Sequence, residues 1–164
     1  MKTILKASVA TVGLLGFASV FVHPFGRIKA ERSNEPLLAG AETTPELTRV
    51  LERSCQNCHS DRTRWPWYSY LPPMSWLIEN DVFRARTNMN LSRWSDYTTD
   101  RQVEILSRLG AKVWNHQMPL PRYVYLHPEG RLADSEVRQL YDWAHRERRR
   151  LTSPAEPQLR KSRD

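Results

Sequence analysis

The sequence predicts an all-α fold. Apolar residues recur at the three- and four-residue spacing of amphipathic helices in four segments, and no segment alternates convincingly as a strand would. Two long proline-containing stretches, residues 65–73 and 117–133, separate these segments. The chain of 164 residues is long enough for one domain with a hydrophobic core. We therefore expect a single helical domain with about four helices and two structured loops.

The N-terminal segment, residues 1–22, has the pattern of an export signal. Lys2 and Lys6 precede a long uncharged run. With residues 4–22 the apolar stretch approaches the roughly 20 residues that cross a bilayer, although residues 16–18 offer a cleavage site. We predict a signal sequence or, preferably, an uncleaved anchor to the inner membrane. The positive-inside rule then leaves the rest of the chain in the periplasm.

The remaining chain divides into a linker, a domain and a tail. Residues 23–43 mix proline, glycine and charge without a period and predict a linker. We place the domain at residues 44–150 and a basic disordered tail at residues 151–164. The net charge of +7 could draw the basic C-terminal end to anionic lipid or to an acidic redox partner, whereas a nucleic-acid partner is disfavoured because aromatics are not interleaved. The basic residues concerned are Arg146, Arg148, Arg149, Arg150, Arg160, Lys161 and Arg163.

Capping residues and spacing place the four helices. Thr43 or Thr44 caps the first helix, which ends directly before Cys55, and the second runs from residue 75 to about 89. The third follows Thr98 or Thr99, and the fourth opens at Asp134 or Ser135. The residues predicted on the recurring helix faces are, in order, Leu47, Val50, Leu51 and Ser54; Trp76, Leu77, Phe83 and Arg86 or Thr87; Val103, Leu106, Gly110 and Val113; and Val137, Leu140, Tyr141 and Ala144. The aromatic stretch at 65–73 predicts a buried loop.

The stretch Cys55-Gln-Asn-Cys58-His59 carries the chemistry. The chain has two cysteines, and a histidine follows the second directly. This spacing lets both thiols add to the vinyl groups of one porphyrin while His59 supplies an axial imidazole to the iron. A disulfide would leave His59 unexplained, a redox dithiol would need a βαβ context, and a zinc site would need a second pair of ligands. We therefore predict one covalently attached haem c.

The second axial ligand must come from elsewhere in the chain. Met118 precedes a proline in a predicted loop, which would hold its thioether stiffly, and it lies far enough beyond His59 for helices to wrap the porphyrin. We favour Met118 over Met74, a histidine ligand or an open position, so the predicted iron ligands are His59 and Met118. The other candidates in the chain are Met89, His116, His127 and His145.

Aromatic and basic residues beside the motif are candidate cofactor contacts. Trp65, Trp67 and Tyr68 would wall a flat apolar cofactor and exclude water. Arg64 and Arg62 would pair with haem propionates, although a purely solubilising role on the surface is equally open. Further aromatic candidates are Tyr70, Trp76, Trp94, Trp114, Tyr123 and Trp143.

Longer stretches strengthen this interpretation. They are Cys55-Gln-Asn-Cys-His-Ser-Asp, Arg64-Trp-Pro-Trp-Tyr-Ser, Pro73-Met-Ser-Trp-Leu, Met118-Pro and Leu126-His-Pro-Glu. Together they resemble the bacterial haem-binding domain family of exported c-type cytochromes over residues 44–145. The resemblance implies a cytochrome c-like helical domain wrapped around one haem, with His59 proximal and Met118 distal. The chain departs from the family pattern in having Met118-Pro-Leu for Met-Pro-Pro and Ala133 for a serine.

The predicted function is single-electron transfer in the cell envelope. The expected partner is an extracytoplasmic redox protein or a membrane oxidoreductase, and the haem would be attached by cytochrome c maturation machinery. Two alternatives are open: a peroxidase-like enzyme that uses His116 or Arg122 beside an open distal position, and a membrane-anchored haem sensor of redox state or ligand. An electron carrier is favoured over an enzyme.

Overall fold

The computed structural model describes residues 2–19, 21–22 and 36–153, and these residues form helices joined by turns. No strand occurs within these ranges, which confirms the all-α prediction for them. The α-helices described there are α1 (Lys2–Ser19), α2 (Pro45–Ser54), α3 (Gln56–His59), α4 (Met74–Asn88), α5 (Thr99–Trp114), α6 (Pro121–Leu126) and α7 (Asp134–Thr152). Short 3₁₀ segments lie at Trp67–Tyr70, Leu91–Asp96 and Pro128–Gly130.

The N-terminal helix α1 has 18 residues. Among the described residues, no helix is both long enough and apolar enough to cross a membrane. Just beyond α1, the indole Nε1 of Trp76 donates a hydrogen bond of 2.7 Å to the carbonyl of Val22. This bond links the end of the N-terminal segment to α4.

The chain divides into two compact units. The first comprises residues 1–39 and 55–93, and the second comprises residues 40–54 and 94–164. The Cys-x-x-Cys-His motif belongs to the first unit, and the boundary at Arg93 falls where the backbone leaves helical geometry (φ −119°, ψ 28°).

Helices α5 and α7 pack together in the second unit and carry most of its core. The threonine caps have the predicted effect: Thr44 Oγ1 accepts the N–H of Leu47, and Thr98 Oγ1 accepts the N–H of Arg101. At the start of α7, Ala133 has no capping oxygen, and the Glu136 carboxylate instead accepts its N–H at 2.9 Å. The buried apolar residues of α2, α5 and α7 are Leu47, Val50, Leu51, Ile105, Leu106, Val113, Val137, Leu140, Trp143 and Ala144. The predicted first, third and fourth helices are confirmed.

Helix α4 confirms the predicted second helix but buries a different face. Ser75, Glu79 and Val82 are its buried residues, whereas Leu77 and Phe83 are exposed to solvent. The expected apolar face was therefore wrong, because apolar spacing alone does not show which side of a helix meets protein.

The predicted loop at residues 117–133 contains α6 and a 3₁₀ turn. The rings of Tyr123 and His127 stack at 4.6 Å, and Gly130 lies directly against Tyr123. A Cβ atom at Gly130 would lie 2.9 Å from Cε1 of Tyr123, closer than such atoms normally approach. The absence of a side chain at Gly130 is thus what permits this packing.

We expect Gly130→Ala to lower the free energy of unfolding by about 1–3 kcal/mol, because Tyr123 must move and disturb its stack on His127. Gly110→Ala is the matched control: Gly110 lies inside α5, and its Cβ would make ordinary contacts of 3.6 Å and 3.7 Å with Tyr141 and Ala144 of α7. Alanine is the better helix former, so this variant should be unchanged or stabilised by up to about 1 kcal/mol. Denaturant unfolding measures both, and equal stability of the two variants would contradict the role of Gly130.

The ends of the packed region differ from the sequence-based boundaries. Leu37 and Leu38, placed in the predicted linker, are buried, and Leu38 donates its N–H to the carbonyl of Leu91 at 2.9 Å. At the other end, α7 continues to Thr152, two residues into the predicted tail. Residues 23–35 and 154–164, which include the tail residues Arg160, Lys161 and Arg163, lie outside the described residues.

In the second unit, α7 also holds the segment that precedes α2. Trp143 Nε1 donates to the carbonyl of Glu42 at 2.8 Å, and Arg150 donates to the carbonyl of Gly40 at 3.2 Å. Arg150 forms a hydrogen-bonded ion pair with the buried carboxylate of Glu147, and this raises the pKa of Arg150 above its ordinary value. Arg150 is therefore part of the fold and not of a solvated tail.

Candidate haem-attachment site

The Cys-x-x-Cys-His motif forms a single helical turn. The carbonyl of Cys55 accepts the N–H groups of Cys58 at 3.2 Å and of His59 at 2.9 Å. The two cysteines are not joined in a disulfide, and both are partly exposed. Residues three apart lie on the same side of a helical turn. The donor set therefore fits a porphyrin held by two thioether bonds with an imidazole alongside.

His59 is held in one tautomer by the backbone. Its Nδ1 lies 3.1 Å from the carbonyl oxygen of Met89. A carbonyl can only accept, so Nδ1 carries a proton, and in the neutral imidazole Nε2 therefore keeps its lone pair. Burial lowers the pKa of His59 below its ordinary value, while backbone hydrogen bonds at Met89 and Ala85 act in the opposite direction. A neutral imidazole with an available Nε2 is the form that ligates a metal.

The residues that follow the motif fold back onto α3. The hydroxyl of Ser60, which is fully buried, donates to the carbonyl of Gln56 at 2.8 Å. The hydroxyl of Thr63 donates to the carbonyl of Asn57 at 2.7 Å, and the N–H of Arg64 donates to the Asn57 side chain at 3.2 Å. The motif is thus fixed by its own neighbours.

Arg86 of α4 ties this turn to the rest of the first unit. Its Nε donates to the carbonyl of Ser60 at 3.0 Å, and its Nη2 donates to the hydroxyl of Thr63, also at 3.0 Å. Only 13% of the Arg86 side chain is exposed. The largely buried Arg86 guanidinium therefore fixes the residues that directly follow the motif.

Asp61 joins the motif to the chain beyond α4. It is 4% exposed, and its two carboxylate oxygens accept from Asn90 Nδ2 at 2.8 Å and from Arg93 Nε at 3.1 Å. Its backbone N–H donates to the hydroxyl of Ser92 at 3.1 Å. Sequence reasoning assigned no role to Asp61 or Asn90 and placed Arg86 only as a candidate on a helix face. A charged residue two places after the histidine was the signal that could have pointed to the first of them.

The aromatic stretch after the motif faces outward. Trp67 is 75% exposed and Tyr70 is 63% exposed, so the prediction of a buried loop was wrong. Ser69 explains the geometry, since both its N–H and its hydroxyl donate to the carbonyl of Pro66, at 2.9 Å and 2.6 Å, and close a tight turn. Trp67 packs edge-on against Tyr68 at 5.8 Å.

The other predicted contacts beside the motif differ in exposure. Trp65 and Tyr68 are partly exposed, and Arg64 is exposed. In the second unit, Trp94 and Trp143 are buried among protein atoms and serve the core. These aromatic residues are therefore of two kinds, buried core residues and residues at least partly exposed to solvent.

Met118, the predicted distal ligand, belongs to the second unit and follows the end of α5. That end is a Schellman motif: the carbonyl of Lys112 accepts the N–H of Gln117 at 2.9 Å, and the carbonyl of Val113 accepts the N–H of His116 at 3.0 Å. His116 occupies the left-handed position with φ 53°. Met118 is partly exposed, and its N–H also points to Lys112, at 3.3 Å. Its backbone is therefore fixed by the helix end.

The remaining candidate ligands have identifiable local roles. Met74 is the first residue of α4, and Met89 is buried in the core while its carbonyl binds His59. His127 lies 3.2 Å from a carboxylate oxygen of Glu129. His145 packs against Tyr141 with ring centroids 4.3 Å apart.

Comparison with known proteins identifies the class. The model of a family described as a haem-binding domain matches residues 14–146. The chain therefore belongs to the haem-binding domain family, as the sequence resemblance implied. The match includes the Cys-x-x-Cys-His turn, α4 and the polar network around Asp61.

The chain is also similar to cytochrome c peroxidase Ccp of Escherichia coli (strain K12), with 25% identity over 150 residues. The match covers 85% of this chain and 32% of that protein, so the chain spans about a third of the length of its relative. No solved structure matches the chain.

Proposed function

We propose that this chain is a c-type cytochrome that transfers single electrons in the periplasm. One haem would be attached through Cys55 and Cys58, and His59 would be its proximal ligand. The observation that carries the proposal is the bond from His59 Nδ1 to the Met89 carbonyl, because it leaves Nε2 available beside two cysteines on one helical turn. Membership of the haem-binding domain family supports the cofactor independently.

Each part of the motif has a task in this proposal. The two thiols would fix the position of the porphyrin, and the hydrogen bond to the Met89 carbonyl would make His59 a stronger ligand to the iron. When bound, haem supplies an iron that takes up and releases one electron. The exposed apolar side chains of the first unit, Trp67, Tyr70 and Phe83, offer surface for a flat apolar group or for a redox partner. Arg64, Trp65 and Tyr68 beside the motif would line the same site.

We propose Met118 as the distal ligand and a cytochrome c-like wrapping of the chain around the haem. A methionine ligand stabilises the reduced iron and suits a carrier that changes little on electron transfer. The fixed backbone at the end of α5 supports Met118, since a ligand on an ordered turn loses less freedom on binding.

The charge and hydropathy of the N-terminal segment support a location outside the cytoplasm. Lys2 and Lys6 precede an uncharged stretch, which supports export and a tether at residues 4–22. Covalent attachment would require the cytochrome c maturation machinery as a partner. The exposed arginines of α7, Arg146 and Arg149, favour an anionic redox protein or membrane oxidoreductase as the electron partner.

A peroxidase activity is the second candidate, favoured by the similarity to cytochrome c peroxidase Ccp. It would require an open distal position that admits peroxide, with His116 or Arg122 as the proton-transferring or charge-stabilising group. Both of these residues are exposed.

The deciding experiment uses the full chain produced together with maturation machinery. We expect a haem stain that survives a denaturing gel at the mass of the chain, 19.3 kDa. The purified protein should hold six-coordinate low-spin iron that is reduced and reoxidised reversibly. Absence of the stain would overturn the cofactor proposal, and high-spin iron that binds cyanide or peroxide at once would favour the peroxidase.

A further inference from the structure

The exit of the Cys-x-x-Cys-His motif and the exit of α4 lie side by side in the first unit. Hydrogen bonds join them: His59 bonds to the Met89 carbonyl, and Asp61 bonds to Asn90, Ser92 and Arg93. Met89, whose carbonyl accepts from His59, directly precedes Asn90, whose side chain donates to Asp61.

The position of the Met89 carbonyl depends on the next residues of the chain. Met89 ends α4 with an extended backbone (φ −158°, ψ 121°), so the helix no longer dictates where its carbonyl points. Asn90, which is buried, is fixed at both ends of its amide: Nδ2 donates to Asp61 at 2.8 Å, and Oδ1 accepts the N–H of Ser92 at 3.0 Å. The turn after Met89 is therefore held by Asp61.

Asp61 is suited to this role because its carboxylate is buried and carries several bonds. Its side chain is 6% exposed, and Arg86 Nε lies 3.8 Å from the oxygen that also binds Asn90. Hydrogen bonds to a buried charged group are stronger than those between neutral groups. The carboxylate is thus a rigid anchor for residues 90–93.

We propose that Asp61 is a positioning residue that, through Asn90, holds the Met89 carbonyl against His59 and so fixes the imidazole tautomer. The consequence for electron transfer rests on the function proposed above. A firmly held carbonyl makes the imidazole more basic and therefore a stronger electron donor to the iron, which stabilises the oxidised state. Loosening the carbonyl should therefore raise the reduction potential.

The test compares Asp61→Asn and Asn90→Ala with the wild-type chain carrying its haem. In the reduced protein, exchange of the His59 Nδ1 proton with deuterium is followed by NMR. We expect this exchange to be about tenfold faster or more in both variants, the size of effect that one charge-assisted hydrogen bond carries in an equilibrium constant. Asp96→Asn, at an exposed carboxylate, is the control and should exchange like the wild type.

The reduction potential separates positioning from simple charge. Asn90→Ala leaves the net charge unchanged, so positioning predicts a higher potential in both variants, whereas loss of a negative charge alone raises it only in Asp61→Asn. Wild-type exchange rates in both variants, or an unchanged potential in Asn90→Ala, would overturn the role of Asp61. If Asp61→Asn does not fold, the milder Asn90→Ala decides alone.

The proposal about function can fail separately. A wild-type chain that retains no haem would contradict the proposal that the protein is a cytochrome. The positioning role of Asp61 would then be tested without haem, from the nitrogen-15 chemical shifts of His59 in the same variants. A dominant Nδ1–H tautomer that becomes mixed in Asn90→Ala would support the role of Asp61, and an unchanged tautomer would overturn it.

Discussion

Replacing both Cys55 and Cys58 with alanine is expected to abolish covalent haem retention. The double variant, produced beside the wild type with maturation machinery, should show no haem stain on a denaturing gel. The physical reason is that an axial imidazole alone does not survive denaturation, whereas a thioether bond does. The chain has two cysteines, so no other thiol can substitute.

The single variants provide the matched comparison. Cys55→Ala and Cys58→Ala each leave one thiol, so one thioether forms and one vinyl group stays conjugated with the porphyrin. We expect a weaker stain and visible absorption bands displaced to longer wavelength than in the wild type. Immunodetection of the chain on the same gel controls for expression, and a full-strength stain in the double variant would rule out attachment at this motif.

Replacing Met118 with alanine is expected to lower the reduction potential by on the order of 0.1–0.3 V, since axial ligands set haem potentials over about 0.8 V. A thioether favours reduced iron more than water or no ligand does. The optical signature of methionine bound to oxidised iron should disappear at the same time. Redox titration and absorption spectra measure both effects.

Met74→Ala is the control, because Met74 is another partly exposed methionine at a helix start. It should leave both the potential and the spectrum unchanged. If Met74→Ala produces the change and Met118→Ala does not, the distal ligand is Met74. If neither does and the wild type binds cyanide immediately, the distal position is open and the peroxidase becomes the better proposal.

Helices whose signals are local could be predicted from the sequence. α2 begins after Thr44, and α5 after Thr98, because a threonine hydroxyl satisfies a helix-end N–H in each case. The predicted face of α2 is buried, whereas in α5 Ile105 is buried in place of Val103, which is partly exposed. In α4 this reasoning failed, since Leu77 and Phe83 are exposed while Ser75 and Glu79 are buried.

The same distinction applies to the candidate site. The Cys-x-x-Cys-His motif can be recognised in the sequence, because covalent haem attachment requires two cysteines at a fixed separation from a histidine. The polar network could not be predicted from the sequence, because the hydrogen bond between Asp61 and Asn90 joins residues 29 apart and produces no local pattern. Outward-facing Trp67 was likewise missed, because aromatic composition does not reveal the tight turn that Ser69 imposes.

The segment before the domain has its two ends fixed on the same unit. Trp76 holds the carbonyl of Val22, and Leu91 holds the N–H of Leu38. If residues 4–22 cross the membrane as proposed, the hydrogen bond from Trp76 to Val22 keeps the motif-bearing unit close to the bilayer. Electron exchange would then be confined to partners that work at the membrane surface, and freely diffusing carriers would have to come to it.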